Sequence, residues 1–283
     1  MTIIAAFNSD AIAVHDPSPK PLIDPVRLQA LLGEARGRFD IDSLPECAST
    51  STVLLGRAAQ GAPGGSVIVT DRQTAGRGSR GRCWLASPEA SLTFSVLWRF
   101  NNGVGRLAGL SLAVGVAVVH ALEAFGAKGV QLKWPNDILY DNAKLGGILV
   151  ELQSEAHSAL AVVGIGLNLS MPETIGDGAG FALPPAAVDR ILTPVPERHA
   201  LFAQILIELA SKFDRFSNGG FAELRDQWQA RHAWQGRSVR LLRDGLLEKE
   251  GICRGADADG ALLVQTASGV ERCLSGDLSL RVQ

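Results

Sequence analysis

The chain has 283 residues, 46% of them apolar and 20% charged, and its 27 lysines and arginines against 29 acids leave a net charge of −2. At roughly 100–200 residues per domain this is about two domains' worth of chain, apolar enough for a real core, which excludes a disulfide-stapled mini-protein, a disordered chain and a polybasic nucleic-acid binder. Cys47, Cys83, Cys253 and Cys273 stand without a C-x-x-C pair or a histidine at zinc spacing, so reduced thiols are expected rather than a metal site or a disulfide framework.

Met1 to Lys20 lacks the cationic start and apolar core of an export signal, and its acids and prolines suit a loose arm of a cytoplasmic protein. Residues 1–45 read as an N-terminal extension with one short helix around Pro25 to Arg36, too little for a winged helix-turn-helix. Strand texture begins at Val67, in Ser66-Val-Ile-Val-Thr70, and continues in the alternating run Leu92 to Trp98. Arg106 to Phe125 has helical length and a stop at Gly126; its uncharged part, Leu107 to Leu122, falls short of the ~20 residues a bilayer requires, so a buried helix is expected and no membrane span. Short strands follow at Val130 to Trp134, Ile138 to Tyr140, Leu145 to Leu152 and Leu160 to Leu169, and their tight turns imply antiparallel pairing. The Pro- and Gly-rich stretch 170–196 is expected as a mobile surface connection, with amphipathic helices after it at Glu197 to Phe216 and Phe221 to Trp234. From Gly236, short apolar runs divided by Asp-Gly and Ser-Gly turns predict a small β-barrel. The fold class is therefore α+β, a mixed and largely antiparallel sheet with flanking helices over residues 46–235 and a barrel over 236–283.

The segment from Asp71 to Arg82 carries four arginines against one acid, a local charge of +3, interleaved with Gly76, Gly78 and Gly81. Glycines let a backbone approach a ligand and offer it N–H groups, while arginine forks suit phosphate or carboxylate oxygens, so an anion-binding loop is expected; a solvated basic loop is the plain alternative. The formal match to G-x-G-x-x-G carries little, because Cys83-Trp84-Leu85 and a strand follow it where a dinucleotide site needs a helix. In Lys133-Trp-Pro-Asn-Asp137 the proline fixes a bend that Asn136 and Asp137 can hold. Lys144 opens a strand whose next residues but one are Gly146 and Gly147, so its ammonium lies beside bare backbone that a phosphate could approach. Asn168 ends the apolar run Gly164-Ile-Gly-Leu-Asn, where its amide could read a purine edge or sugar, or cap its own turn. Ser49, Thr50, Ser51 and Thr52 precede a helix expected near Val53, and capping explains one of these hydroxyls but not four.

In this order the four motifs Gly76-Arg-Gly-Ser-Arg-Gly-Arg82, Lys133-Trp-Pro-Asn-Asp137, Lys144-Leu-Gly-Gly-Ile-Leu-Val-Glu151 and Gly164-Ile-Gly-Leu-Asn168 resemble those of biotin protein ligases, from about Ser49 to the C-terminus. The resemblance implies the class II synthetase-like biotin–lipoate ligase fold with an SH3-like C-terminal barrel, and ATP-dependent biotinylation of a lysine on a biotin carboxyl carrier domain through biotinyl-5′-AMP. It implies ATP and biotin as substrates with Mg²⁺, and Lys144 and Arg77 as catalytic groups. Ser49, Thr50, Ser51, Gln73, Arg77, Gly78, Ser79 and Lys144 would hold biotin, and Gly76, Arg80, Gly81, Arg82, Trp84, Lys133, Asn136 and Asn168 the nucleotide. Asp137 could contact the metal or only stabilise its turn. The resemblance leaves a homodimer open, and with no winged helix no DNA partner is expected. Two departures stand out: Ser79 replaces a basic residue usual in the family's loop, which implies a looser grip on the adenylate, and Ala48 stands where many relatives have an acid. The rival readings are a lipoate or octanoate ligase, which the Arg/Gly loop and Lys-Trp-Pro-Asn-Asp disfavour, and a non-catalytic biotin sensor, which could dispense with Lys144.

Overall fold

The computed structural model describes residues 20–101, 103–155, 158–171, 183–276 and 278–282. The expected N-terminal arm and most of the first part of the 170–196 connection lie outside these. Helix α1 (Pro25–Leu31) starts where Asp24 accepts bonds from the Val26 and Arg27 amides and Pro25 sets the first turn. Strand β1 (Asp40–Cys47) then pairs in parallel with β2 (Ser66–Gln73) across the crossover helix α2 (Thr50–Ala59). The main sheet thus begins at Asp40, and β1 runs through the boundary expected at residue 45. Its polar residues and Pro45 hide it from a pattern search, because it is an edge strand with one neighbour.

Strands β3 (Ser91–Phe100), β4 (Val130–Lys133), β5 (Asp137–Tyr140), β6 (Ala143–Ser154) and β7 (Ala159–Asn168) complete a seven-stranded mixed sheet in the order β1-β2-β3-β7-β6-β5-β4, antiparallel from β2 onward. Asp141 and Asn142, both at positive φ, make the tight β5–β6 turn that their side chains tolerate best after glycine. Helix α3 (Leu110–Ala124) is buried on nearly every face, which is why its sequence shows no polar stripe. It packs with α4 (Arg198–Gly219) against the sheet, and Phe213 and Phe216 of α4 close an aromatic cluster with Trp98 and Phe100 of β3.

The second expected amphipathic helix is shorter than its sequence pattern. Gly219 and Gly220 end α4, a 3₁₀ turn covers Gly220–Glu223, and α5 spans only Arg225–Gln229. The chain then leaves the helix because Ala233 N donates to Leu132 O and His232 bridges to the outer strand β4. Nor is all of 170–196 a surface connection, since Ala186, Ala187 and Val188 are buried. Beyond it, β8 (Ser238–Arg243), β9 (Leu246–Ala256), β10 (Leu262–Thr266), β11 (Gly269–Cys273) and β12 (Leu278–Val282) form a separate antiparallel sheet, β11-β10-β9-β8-β12. The Trp134 indole donates to Gly260 O at 3.1 Å, and a Cβ on Gly260 would lie 2.6 Å from Gly109 Cα, so the two sheets meet closely.

Candidate active site

One cleft of about 960 Å³ gathers residues from β2, the loop after it, β3, β6, β7 and the C-terminal sheet. At one end, Thr50 and Ser51 turn inward from the first turn of α2. The Thr50 amide donates to Gln73 Oε1 at 2.8 Å, and the hydroxyls of Thr50 and Ser51 lie 2.7 and 3.0 Å from the Ser95 hydroxyl. Ser49 is the N-cap but makes no side-chain capping bond, and Ser49, Thr50 and Ser51 line the cleft while Thr52 does not. A Cβ on Gly164 would stand 2.7 Å from Ser51 Oγ, which makes the glycine a requirement of the close approach. Ser95 is the member the sequence did not single out, being one polar residue in an apolar strand.

At the other end, β6 presents Lys144. Its ammonium donates to Asp137 Oδ1 at 2.5 Å, and Lys133 donates to Asp137 Oδ2 at 2.7 Å. Lys133 and Asp137 are buried, with side-chain exposures of 4% and 6%, whereas Lys144 is 26% exposed and faces the cleft. Burial alone would raise the Asp137 carboxyl, but the two ammoniums hold it well below the usual carboxylate range. Burial pushes the Lys133 ammonium down, with Asp137 opposing. Lys133 therefore stands behind the carboxylate and not in the cleft wall, which corrects the expectation that it meets the nucleotide. Both Asp137 oxygens are engaged by cations, and among the described residues no group of three His, Cys, Asp or Glu side chains could hold a metal. Asp137 thus anchors both lysines, and through it the Lys144 ammonium is held at the cleft wall.

The Arg/Gly loop closes the cleft as an irregular hairpin, with Trp84 N bonded to Gly76 O at 2.9 Å and Gly78 N to Arg82 O at 2.7 Å. A Cβ on Gly76 would meet Trp84 O at 2.3 Å, so only glycine fits there. Arg77 is paired with Glu151 and donates to Thr52 Oγ1 at 3.3 Å; Arg82 donates to Ser79 through both its backbone oxygen and its hydroxyl. Arg77, Gly78, Ser79 and Arg82 line the cleft, Gly81 does not, and Arg80, at φ 60, lines a smaller cavity of about 240 Å³ against the C-terminal sheet. Trp84 lies flat on the floor, where Cβ atoms on Gly166 would come within 2.3–2.7 Å of its indole, and its ring centroid is 5.8 Å from the Lys144 ammonium. Its Nε1 and Thr93 Oγ1 are buried in the wall without a hydrogen-bond partner.

Asn136 and Asn168 also line the cleft, but each spends its amide hydrogens on backbone. Asn136 donates to Ile148 O, and Asn168 to Lys144 O and Ala186 O, fixing the strand that carries Lys144. Arg281 reaches the same cleft from β12. In the sequence it is one residue of an ordinary strand, and no local signal connects it with residues two hundred positions earlier. Four cations, Arg77, Arg82, Lys144 and Arg281, so share the wall with one acid, Asp137, which suits an anionic ligand.

Residues 44–168 match the biotin/lipoate A/B protein ligase family and residues 236–281 the biotin protein ligase C-terminal domain. The chain is 33% identical over 267 residues to the bifunctional ligase/repressor BirA of Escherichia coli, covering 92% of this chain and 80% of that protein. It is 32% identical to the biotin–[acetyl-CoA-carboxylase] ligase of Mycobacterium tuberculosis, covering 88% and 91%. The solved biotin protein ligase of Aquifex aeolicus in complex with biotin and ATP superposes with a TM-score of 0.73 at 28% identity, over 86% of this chain and 99% of that one. On these matches, with relatives of 32–33% identity covered over 80–91% of their own length, the chain belongs to the biotin protein ligase family.

Proposed function

We propose that this protein joins biotin to ATP, giving biotinyl-5′-AMP and pyrophosphate, and then transfers the biotinyl group to a lysine of a biotin carboxyl carrier domain with release of AMP. The observation that carries the reading is the cleft itself: a hydroxyl and amide cluster at one end, a lysine held by a buried carboxylate at the other, and three arginines between and above them.

Thr50, Ser51 and Gln73 supply the donors and acceptors that a cyclic urea needs, with Ser95 holding the two hydroxyls from behind, and the apolar floor of Ile148, Leu149 and Ile165 suits the rest of biotin. The biotin carboxylate attacks the α-phosphorus of ATP, negative charge gathers on the non-bridging oxygens, and Lys144 is pre-placed to meet it. Asp137 fixes the direction of that ammonium, so no reorganisation is required at the moment of reaction. Arg82 and Arg281 face the phosphate side, and Mg²⁺ entering with ATP would neutralise the departing pyrophosphate. Trp84 offers a flat apolar surface against which a ring of the ligand can lie. In the second step the acceptor amine attacks the mixed anhydride, and the Arg/Gly loop keeps water from it meanwhile. Among the described residues no helix is long and apolar enough to cross a membrane.

The test is to incubate the protein with ATP, Mg²⁺, biotin and a biotin carboxyl carrier domain and to weigh the carrier. One biotinyl group on its acceptor lysine supports the reading; an unlabelled carrier, with lipoate transferred to a lipoyl domain in its place, overturns it.

A further inference from the structure

The stretch 86–91, between the Arg/Gly loop and β3, forms one wall of the cleft through Ala86, Ser87, Ala90 and Ser91, yet it has no regular secondary structure beyond the first residue of β3. Its carbonyls are nevertheless taken. Arg198, at the start of α4 and more than a hundred residues away, donates NH1 to Ser91 O at 2.8 Å and NH2 to Pro88 O at 3.2 Å and Glu89 O at 2.6 Å. Ala90 O receives the amides of Leu169 and Ser170 from the end of β7. A planar guanidinium offers five donors in a rigid fork, whereas an ammonium has three at a single point on a flexible stem and a neutral amide only two. The other root of the loop is held differently: the amides of Thr74 and Ala75 donate to Cys47 O and Ala48 O of and beside β1. The loop from Gly76 to Leu85 is thus strung between two fixed points, and at the second a single side chain takes three of the carbonyls that the Leu169 and Ser170 amides leave.

We propose that Arg198 is a positioning residue for ligation: its three-carbonyl clamp fixes the cleft wall 86–91 and the C-terminal root of the Arg/Gly loop, so that the loop orders over the adenylate. This rests on the function proposed above. Arg198 is bonded to neither Lys144 nor Asp137 and lines neither of the two cavities described above, so its effect reaches the reaction through the wall. The wall sets where Arg82 and Trp84 stand, and retention of the adenylate depends on both.

The test compares the full-length protein with Arg198→Gln and Arg198→Lys in two measurements. Amide hydrogen exchange of the peptide 85–92 without ligand is expected to quicken at least tenfold in Arg198→Gln and by an intermediate factor in Arg198→Lys, while peptides of β6 and β7 keep their protection. Dissociation of a non-hydrolysable biotinyl-adenylate analogue is expected to quicken at least tenfold in Arg198→Gln, with partial rescue by lysine. Unchanged exchange of 85–92, or analogue dissociation within twofold of the unmodified protein, overturns the proposal. If Arg198→Gln does not fold, the same criteria apply to Arg198→Lys with a threefold threshold. An unmodified protein that does not bind the analogue contradicts the proposed function instead, and the exchange arm still decides the clamp.

Discussion

Replacing Asp137 with asparagine keeps the shape of the turn and removes the one carboxylate between two ammoniums. Lys133, 4% exposed, is then left as a buried charge without its partner. At contact distances of 2.5–2.7 Å each ion pair is worth roughly 6 kcal/mol of gross attraction at an effective dielectric of about 20, much of it offset by desolvation. Breaking such a buried pair from one side typically costs about 3–5 kcal/mol. A ceiling comes from Lys133 itself, because shedding its proton at pH 7, well below a reference pKa of about 10.4, costs about 5 kcal/mol. That ceiling falls by about 1.4 kcal/mol per pH unit, and this gives a signature. In Asp137→Asn the unfolded chain holds a proton on Lys133 that the folded one has lost, so stability rises with pH from 7 toward 10. In the unmodified protein the depressed Asp137 carboxyl stabilises above its unfolded pKa of about 3.9, and that contribution is lost as pH falls below it. Urea unfolding followed by tryptophan fluorescence at pH 7, 8 and 9 measures the difference. The expected loss is about 3–5 kcal/mol at pH 7 and no more than about 2 kcal/mol at pH 9, and Lys133→Met added to Asp137→Asn recovers most of it. A loss below about 0.5 kcal/mol, or one that does not change with pH, refutes the reasoning.

Gly166→Ala drives a methyl group into the Trp84 indole, so the ring must leave the cleft floor; the adenylation rate is expected to fall at least tenfold while far-ultraviolet circular dichroism is unchanged, and kinetics equal to the unmodified protein would contradict the placement. Ser79→Arg adds a cation to the loop while the Ser79 carbonyl position still accepts from Arg82; release of biotinyl-AMP should slow about tenfold, within the ~1–3 kcal/mol of a shielded charge-assisted bond, and an unchanged off-rate would remove the idea. His232 is stacked on Trp228 and buried, and burial lowers its pKa to about 4. Its contribution is therefore complete above about pH 6.5 and lost as pH falls through 6.5 toward 4, by up to about 3 kcal/mol; the midpoint of His232→Gln should depend less on pH over that window, and parallel profiles would contradict this.

The chemistry-bearing segments were legible because they are local. Gly76, Arg77, Gly78 and Arg82 stand together in the chain, and so do Lys144 and Gly147, and each group reaches the cleft as a unit. The alternation of Leu92 to Trp98 and the Asp141-Asn142 turn likewise needed no distant information. What escaped is long-range. Ser95 serves Thr50 and Ser51 from across the sheet, Arg281 enters from the other sheet, and Arg198 holds carbonyls 107 to 110 positions away. The resemblance implies that Lys133 meets the nucleotide; its burial behind Asp137, with the Trp234 ring 5.3 Å from its ammonium, depends on a residue a hundred positions away. β1 was hidden because an edge strand needs apolar residues on one face only, and Ile41 carries nearly all of that burial.

The central claim is that Lys144 promotes attack of biotin on ATP. ATP–pyrophosphate exchange with Mg²⁺, run separately with biotin, lipoate and octanoate on the unmodified protein and on Lys144→Ala, tests it most directly. Exchange that requires biotin and falls by several orders of magnitude in Lys144→Ala is the predicted result. Exchange supported by lipoate but not biotin, or retained in full by Lys144→Ala, would contradict the account.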